Sequence, residues 1–201
     1  MKELVDELKN WADGINSRKM PRWESLPDID LHMDQVITYM ERQMNVFINN
    51  KEDKIITPSM INNYVKYKQI PSPVKKKYSR EHLGYLLTVC MLKQVLPIND
   101  ISKLINSHIE NKEMSKVYDS FCTVQDEALS AISERVNDTA KAAASDDSEE
   151  VLTMLALKLA AEANASRIAA EKSCRRWRKR RKRYSKYIFN YIFGLINTAA
   201  V

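Results

Sequence analysis

Residues 55–106 read IITPSMINNYVKYKQIPSPVKKKYSREHLGYLLTVCMLKQVLPINDISKLIN. Thr57-Pro58 is a helix start, because a threonine hydroxyl can cap free amides and proline suits the first turn. A helix is predicted over Pro58–Tyr67, ending before Ile70-Pro71-Ser72-Pro73. Helical spacing gives it Met60, Ile61, Tyr64 and Val65 for packing and turns Ser59, Asn62, Asn63 and Lys66 toward a more polar side. Val74–Tyr78 is too short for a domain linker and suits a tight, basic hairpin or wing. Ser79 can cap the next helix, about Arg80–Val95, which Pro97 ends. A short helix over about Asn99–Ser107 follows.

The side chains of this stretch suit a polyanion. Asparagine can bond adenine edges, while hydroxyls and lysine can bond phosphates. Residues 51–81 hold eight bases and three acids, a local charge of +5. A helix with exposed amides beside a basic wing lets one element read the major groove while the other neutralises phosphates. The candidate DNA-binding residues are Thr57, Ser59, Asn62, Asn63, Lys66, Lys75, Lys76, Lys77, Tyr78 and Arg80. The blander alternative is that Asn62-Asn63 bridges neighbouring loops and that three consecutive lysines form a solvated surface.

The order of helix, Pro-containing turn, basic wing ending in Tyr, helix, turn and short helix with an Ile-x-x-Leu-Ile ending resembles the MerR-type winged helix-turn-helix. The resemblance covers about a quarter of the chain. It implies that Met60–Ile70 is the recognition-helix segment, with Tyr64, Lys76 and Tyr78 on typical Tyr, wing Arg and wing Tyr positions. Asn62 stands where that family usually has Arg, and Lys68 where it has a turn Gly. About 50 residues precede the segment, which MerR-type proteins usually place near the N-terminus. The strings Ile56–Lys66, Lys75–Leu83 and Leu92–Leu96 are also similar to an uncharacterised family of Gram-positive bacterial proteins (domain of unknown function eighteen thirty-six). Those strings point to a family more firmly than to an activity.

Outward from this stretch the chain reads as helical. Residues 2–16 fit an amphipathic helix with Leu4, Val5, Leu8, Trp11 and Ile15 at helical spacing. Pro21 and Pro27 then break the chain, and Lys19–Asp30 reads as a linker. A helix over about Asp30–Asn45 offers Leu31, Val36, Met40 and Met44 for burial, and Asn49–Lys54 is a polar loop. Glu113–Ala142 has no Pro or Gly. Residues 144–148 interrupt it, and a further helix is predicted from Ser148 past Lys172, with a stripe of Leu152, Leu155, Leu159 and Ile168.

The formal net charge of +6 over 201 residues is unevenly placed. Nine of the 32 Lys and Arg lie in Arg175–Lys186, leaving 23 bases against 26 acids in the body. That tail, with Trp177 and Tyr184 among its bases, could follow a nucleic-acid backbone or lie on anionic lipid; it could also be a solvated helix end whose aromatics pack on the body. Tyr187–Ile196 is about half the roughly 20 residues of a membrane span, and residues 1–15 lack the apolar core of a signal peptide. Cys90, Cys122 and Cys174 are odd in number and unpaired in spacing, which fits reduced thiols in the cytoplasm. Cys90 and His82 read as structural. Cys122 and Cys174 could form a sensor only if a dimer joined them.

No HExxH, CxxC or phosphate-cradling glycine loop is present, and the three histidines lack metal spacing. No catalytic residue, cofactor site or metal site is therefore expected, and an enzyme is the least favoured class. The expected fold is all-α: an N-terminal helix and linker (1–29), a MerR-like winged helix-turn-helix DNA-binding domain (30–109), and a helical dimerisation or sensing region with a basic tail (110–201). The expected function is sequence-specific transcription regulation by a homodimer on double-stranded DNA. The alternative is a helical adaptor or interaction protein whose wing binds a protein partner; a third reading is a membrane-surface regulator held by the basic aromatic tail.

Overall fold

The structure is a computed structural model that describes residues 2–47, 54–109, 112–142 and 148–198, with the helical backbone alone past Trp177. The described residues form seven α-helices: α1 (Lys2–Ser17), α2 (Met33–Met44), α3 (Pro58–Lys66), α4 (Arg80–Leu92), α5 (Ile98–Ile109), α6 (Met114–Ala142) and α7 (Ser148–Thr198). Pairing of extended chain among them is confined to two isolated antiparallel bridges, Leu31 with Tyr78 and Val74 with Lys77. The chain divides into two compact units, Met1–Ala160 and Ala161–Val201. No described helix is long and apolar enough to cross a bilayer.

In the first unit α4 is the central element. Every residue from His82 to Cys90 is buried, as the near-continuous apolar run Leu83–Cys90 demands. Leu83, Leu86, Leu87 and Val89 are completely covered, each stabilising by roughly 1.5–3 kcal/mol relative to an exposed side chain. The cover comes from α2, α5 and α6. In α2 the buried residues are Val36, Met40 and Met44, and in α5 they include Ile101 and Ile105. The approach of α6 is close at Gly84, where an added Cβ would lie 3.3 Å from Met114 Cε and Trp23 Cζ3 and 3.4 Å from Tyr118 Cδ2. Glycine is there for space, since its φ is negative.

The Lys19–Asp30 stretch is a strap and not the free linker its prolines suggest. Residues Met20–Trp23 are fastened to α6. The Arg22 guanidinium pairs with Asp126 at 2.8 Å and also donates to Asp119 O and Thr123 Oγ1. Met20 N–H donates to Asp126 Oδ1, Trp23 N–H to Asp119 Oδ1, and the Tyr118 hydroxyl to Pro21 O. Asp126 is buried, so its charge is held by a cation and a backbone amide, as a buried carboxylate requires.

The far half of α6 carries α1. Ser133 Oγ donates to Ala12 O at 2.8 Å, and Asn137 bonds Asp13. Ala12, Val136 and Leu155 form a small core with Leu8, Ile132 and Leu159 around it. The inward stripe of α1 thus runs through the buried Val5 and Ala12 and the half-buried Leu8 and Ile15, whereas Leu4 and Trp11 are exposed. Close contact through the small Ala12 displaces the bulky residues that spacing alone favours.

Candidate nucleic-acid interface

The α3 helix begins as its sequence dictates. Thr57 is the N-cap, with Oγ1 accepting from Met60 N–H at 3.2 Å, and Pro58 occupies the first turn. Ile61 is completely buried, while Met60, Tyr64 and Val65 are half-buried. Ser59, Asn62, Asn63 and Lys66 are all exposed. The polar face is therefore free of the core, and both ends of the helix are tied to it. Ahead of α3, the Lys93 ammonium donates to Ile55 O and Ile56 is buried. After it, the buried Gln69 donates to Asn99 Oδ1 at 2.8 Å. These bonds fix α3 against α4 and α5.

The helix stops in a Schellman motif. Gln69 N–H donates to Tyr64 O at 2.8 Å, and Lys68 N–H to Val65 O at 2.9 Å. Lys68 takes the left-handed conformation, φ 53°, where glycine is usual because it has no Cβ. A lysine there costs about 1–2 kcal/mol relative to ordinary helical backbone.

The basic segment is a hairpin tip. Val74 and Lys77 exchange backbone hydrogen bonds of 3.1 and 2.9 Å. The two residues between them, Lys75 and Lys76, have φ of 49° and 62°. Positive φ at both central positions is the type I′ turn, normally Asn-Gly. Lys75, Lys76 and Lys77 are all exposed, so the turn projects three ammonium groups. Its base is fixed where Leu31 and Tyr78 exchange bonds of 2.9 and 2.8 Å.

Three of the candidate residues serve the frame. The Tyr78 ring is buried, edge-on to the His82 ring at 5.5 Å between centroids, and burial raises its hydroxyl pKa. Thr57 spends its oxygen on the cap. Arg80 is half-buried, with Nε donating to Pro27 O and an ion pair to Glu24 at 3.7 Å. His82 Nδ1 accepts from Ser79 N–H at 3.1 Å and so caps α4, which puts the proton of a neutral ring on Nε2. Two exposed residues beside α3 escape a reading by helical spacing. Tyr67 is 65% exposed with the Lys66 ammonium 5.7 Å from its ring centre, and Lys68 carries the strained turn. Its place where the MerR-type pattern has a turn Gly is the one sequence signal that singles out Lys68.

Elsewhere the chemistry is sparse. No group of three or more His, Cys, Asp or Glu is placed to hold a metal among the described residues. All three cysteines are buried, and burial pushes the Cys90 and Cys122 thiols up to about 11. A thiol held neutral at pH 7 is a poor ligand and nucleophile. Of the basic run Arg175–Lys186, the side chains from Arg178 onward lie outside the described residues.

Neither the curated proteins nor the solved structures yield a match to the chain. The family model described as Domain of unknown function (DUF1836) matches residues 21–121, half of the 201 residues. It runs from the strap through the hairpin to the first turns of α6. The chain belongs to the DUF1836 family.

Proposed function

We propose that the protein is a sequence-specific DNA-binding transcription regulator of MerR-like winged-helix type, with α3 as the reading helix and the Val74–Lys77 hairpin as the wing. The observation that carries this reading is the lysine turn itself. Lys75 and Lys76 occupy a turn that favours Asn-Gly, and the tip is exposed and supported at its base by Leu31 and Tyr78. Strain of this kind persists where a function uses it. Three fixed cations next in sequence to a helix with exposed Asn62, Asn63, Ser59 and Lys66 suit phosphates and base edges respectively. Arg80, Thr57 and Tyr78 support these contacts from behind.

The regulator acts as a symmetric dimer, which would set two reading helices about one helical turn of DNA apart. Met154 and Leu157 on α7, 45% and 62% exposed, are the candidate contact. Changing Lys75, Lys76 and Lys77 together to Glu is expected to abolish retention of sheared genomic DNA at 100 mM salt while leaving the circular dichroism spectrum unchanged. Genomic footprinting of the tagged protein should then recover discrete sites with the native chain and none with the variant. Equal DNA retention by both proteins would refute the wing assignment.

A further inference from the structure

Three described residues other than glycine have positive φ, and all three are lysines: Lys68, Lys75 and Lys76. All three are exposed and fall within nine positions of sequence. Glycine, asparagine and aspartate are the usual occupants of such backbone, because their short side chains relieve the clash. None of the described glycines has a positive φ. A long cationic side chain stands at each left-handed position, where glycine would carry no steric strain.

We infer that Lys68 is a phosphate contact of the same surface, holding the nucleic-acid backbone beside the C-terminal end of α3 as the hairpin lysines hold it at the wing. This rests on the DNA-binding reading above and extends it to a residue outside the reading helix and the wing. The Schellman motif gives Lys68 a fixed origin, because its N–H and that of Gln69 are both bound to carbonyls of α3. The Gln69–Asn99 bond then holds the turn against α5. The ammonium therefore hangs from a rigid point, so little backbone order remains to be imposed on binding. Tyr67, exposed next to it, adds an aromatic face that Lys66 overhangs. Lysine also suits the negative end of a helix dipole, but charge alone at a helix end does not call for left-handed backbone.

The test uses the full chain and a fluorescein-labelled 30-base-pair duplex of mixed sequence, with binding followed by anisotropy from 50 to 200 mM KCl. Each phosphate contact contributes about 0.9 to the slope of log affinity against log salt. Lys68→Gln, which removes charge, and Lys68→Gly, which also relieves the turn, are both expected to reduce that slope by about 0.9. Lys158→Gln, on the exposed surface of α7, removes the same charge elsewhere and is expected to leave it unchanged. Lys68→Gly should raise the thermal midpoint even as it weakens binding, which separates contact from folding. If both Lys68 variants keep the native slope while the triple wing variant loses affinity, Lys68 is no contact and the wing reading stands. If the triple wing variant matches the native chain, or the native chain shows no salt-dependent binding, the DNA reading fails and the Lys68 contact with it.

Discussion

Lys75 and Lys76 are placed for charge at the expense of backbone comfort. The double substitution Lys75→Asn with Lys76→Gly supplies the residues the type I′ turn prefers. It is expected to raise unfolding free energy by about 1–2 kcal/mol in urea titrations and to weaken DNA binding in the same preparation. A loss of stability would show that the lysines hold the turn by contacts of their own. Other residues set the response to alkali. Cys90 and Cys122 are raised from 9.0 to about 11, and Tyr39 from 10.0 to about 12, all chiefly by burial. The folded state thus favours the neutral form of each group, and this contribution is complete below about pH 9. It is lost as pH climbs from about 9 toward 12, because the unfolded chain ionises first. Urea midpoints should be flat from pH 7 to 9 and fall above that, and a Cys90→Ala, Cys122→Ala chain should show a weaker fall. The hairpin lysines were legible in the sequence as a tight basic turn. Their strained geometry was not, since no pattern of residue types announces a lysine in left-handed backbone.

Elements differ in how far their own sequence determines them. The α3 helix declares itself through Thr57-Pro58 and the spacing of Met60, Ile61 and Tyr64, and α4 through its apolar run. Such signals are local, so periodicity and capping rules reach them. The strap is the opposite case. Its bonds join Met20, Arg22 and Trp23 to Asp119 and Asp126, about a hundred positions away, and the nearby prolines read as a break. A buried carboxylate that satisfies both a guanidinium and a backbone amide is costly to remove. Asp126→Ala is expected to cost about 3 kcal/mol, with Asp126→Asn intermediate, as read by chemical denaturation. Where α4 meets α6 and the strap, Gly84→Leu has no room beside Met114, Trp23 and Tyr118. It should cost about 3 kcal/mol or more and broaden the thermal transition. Were Gly84→Leu neutral, α6 could not lie as close to α4 as it does.

At the scale of the whole molecule, charge and contact are segregated. The acids of the body outnumber its bases while nine cations crowd Arg175–Lys186, so total charge is a poor guide to where a polyanion would bind. The α7 surface around Leu157 supplies the test of assembly. The full chain is expected to run as a dimer by light scattering and Leu157→Glu as a monomer with unchanged helicity; a dimeric variant would put the contact elsewhere. The position of Asp126 also decides how the protein can be dissected. The family match ends at residue 121, five residues short of the carboxylate that locks the strap to α6. A fragment cut at the end of α5 would strip α4 of Met114 and Tyr118, both buried in the intact chain and packed at Gly84, and leave apolar surface facing water. A fragment cut at residue 121 would recover that cover but leave Met20 N–H without its acceptor and Arg22 without its carboxylate partner. The smallest piece that retains α3, the hairpin and a closed core therefore has to run past Asp126, so the boundary of sequence kinship and the boundary of autonomous folding do not coincide.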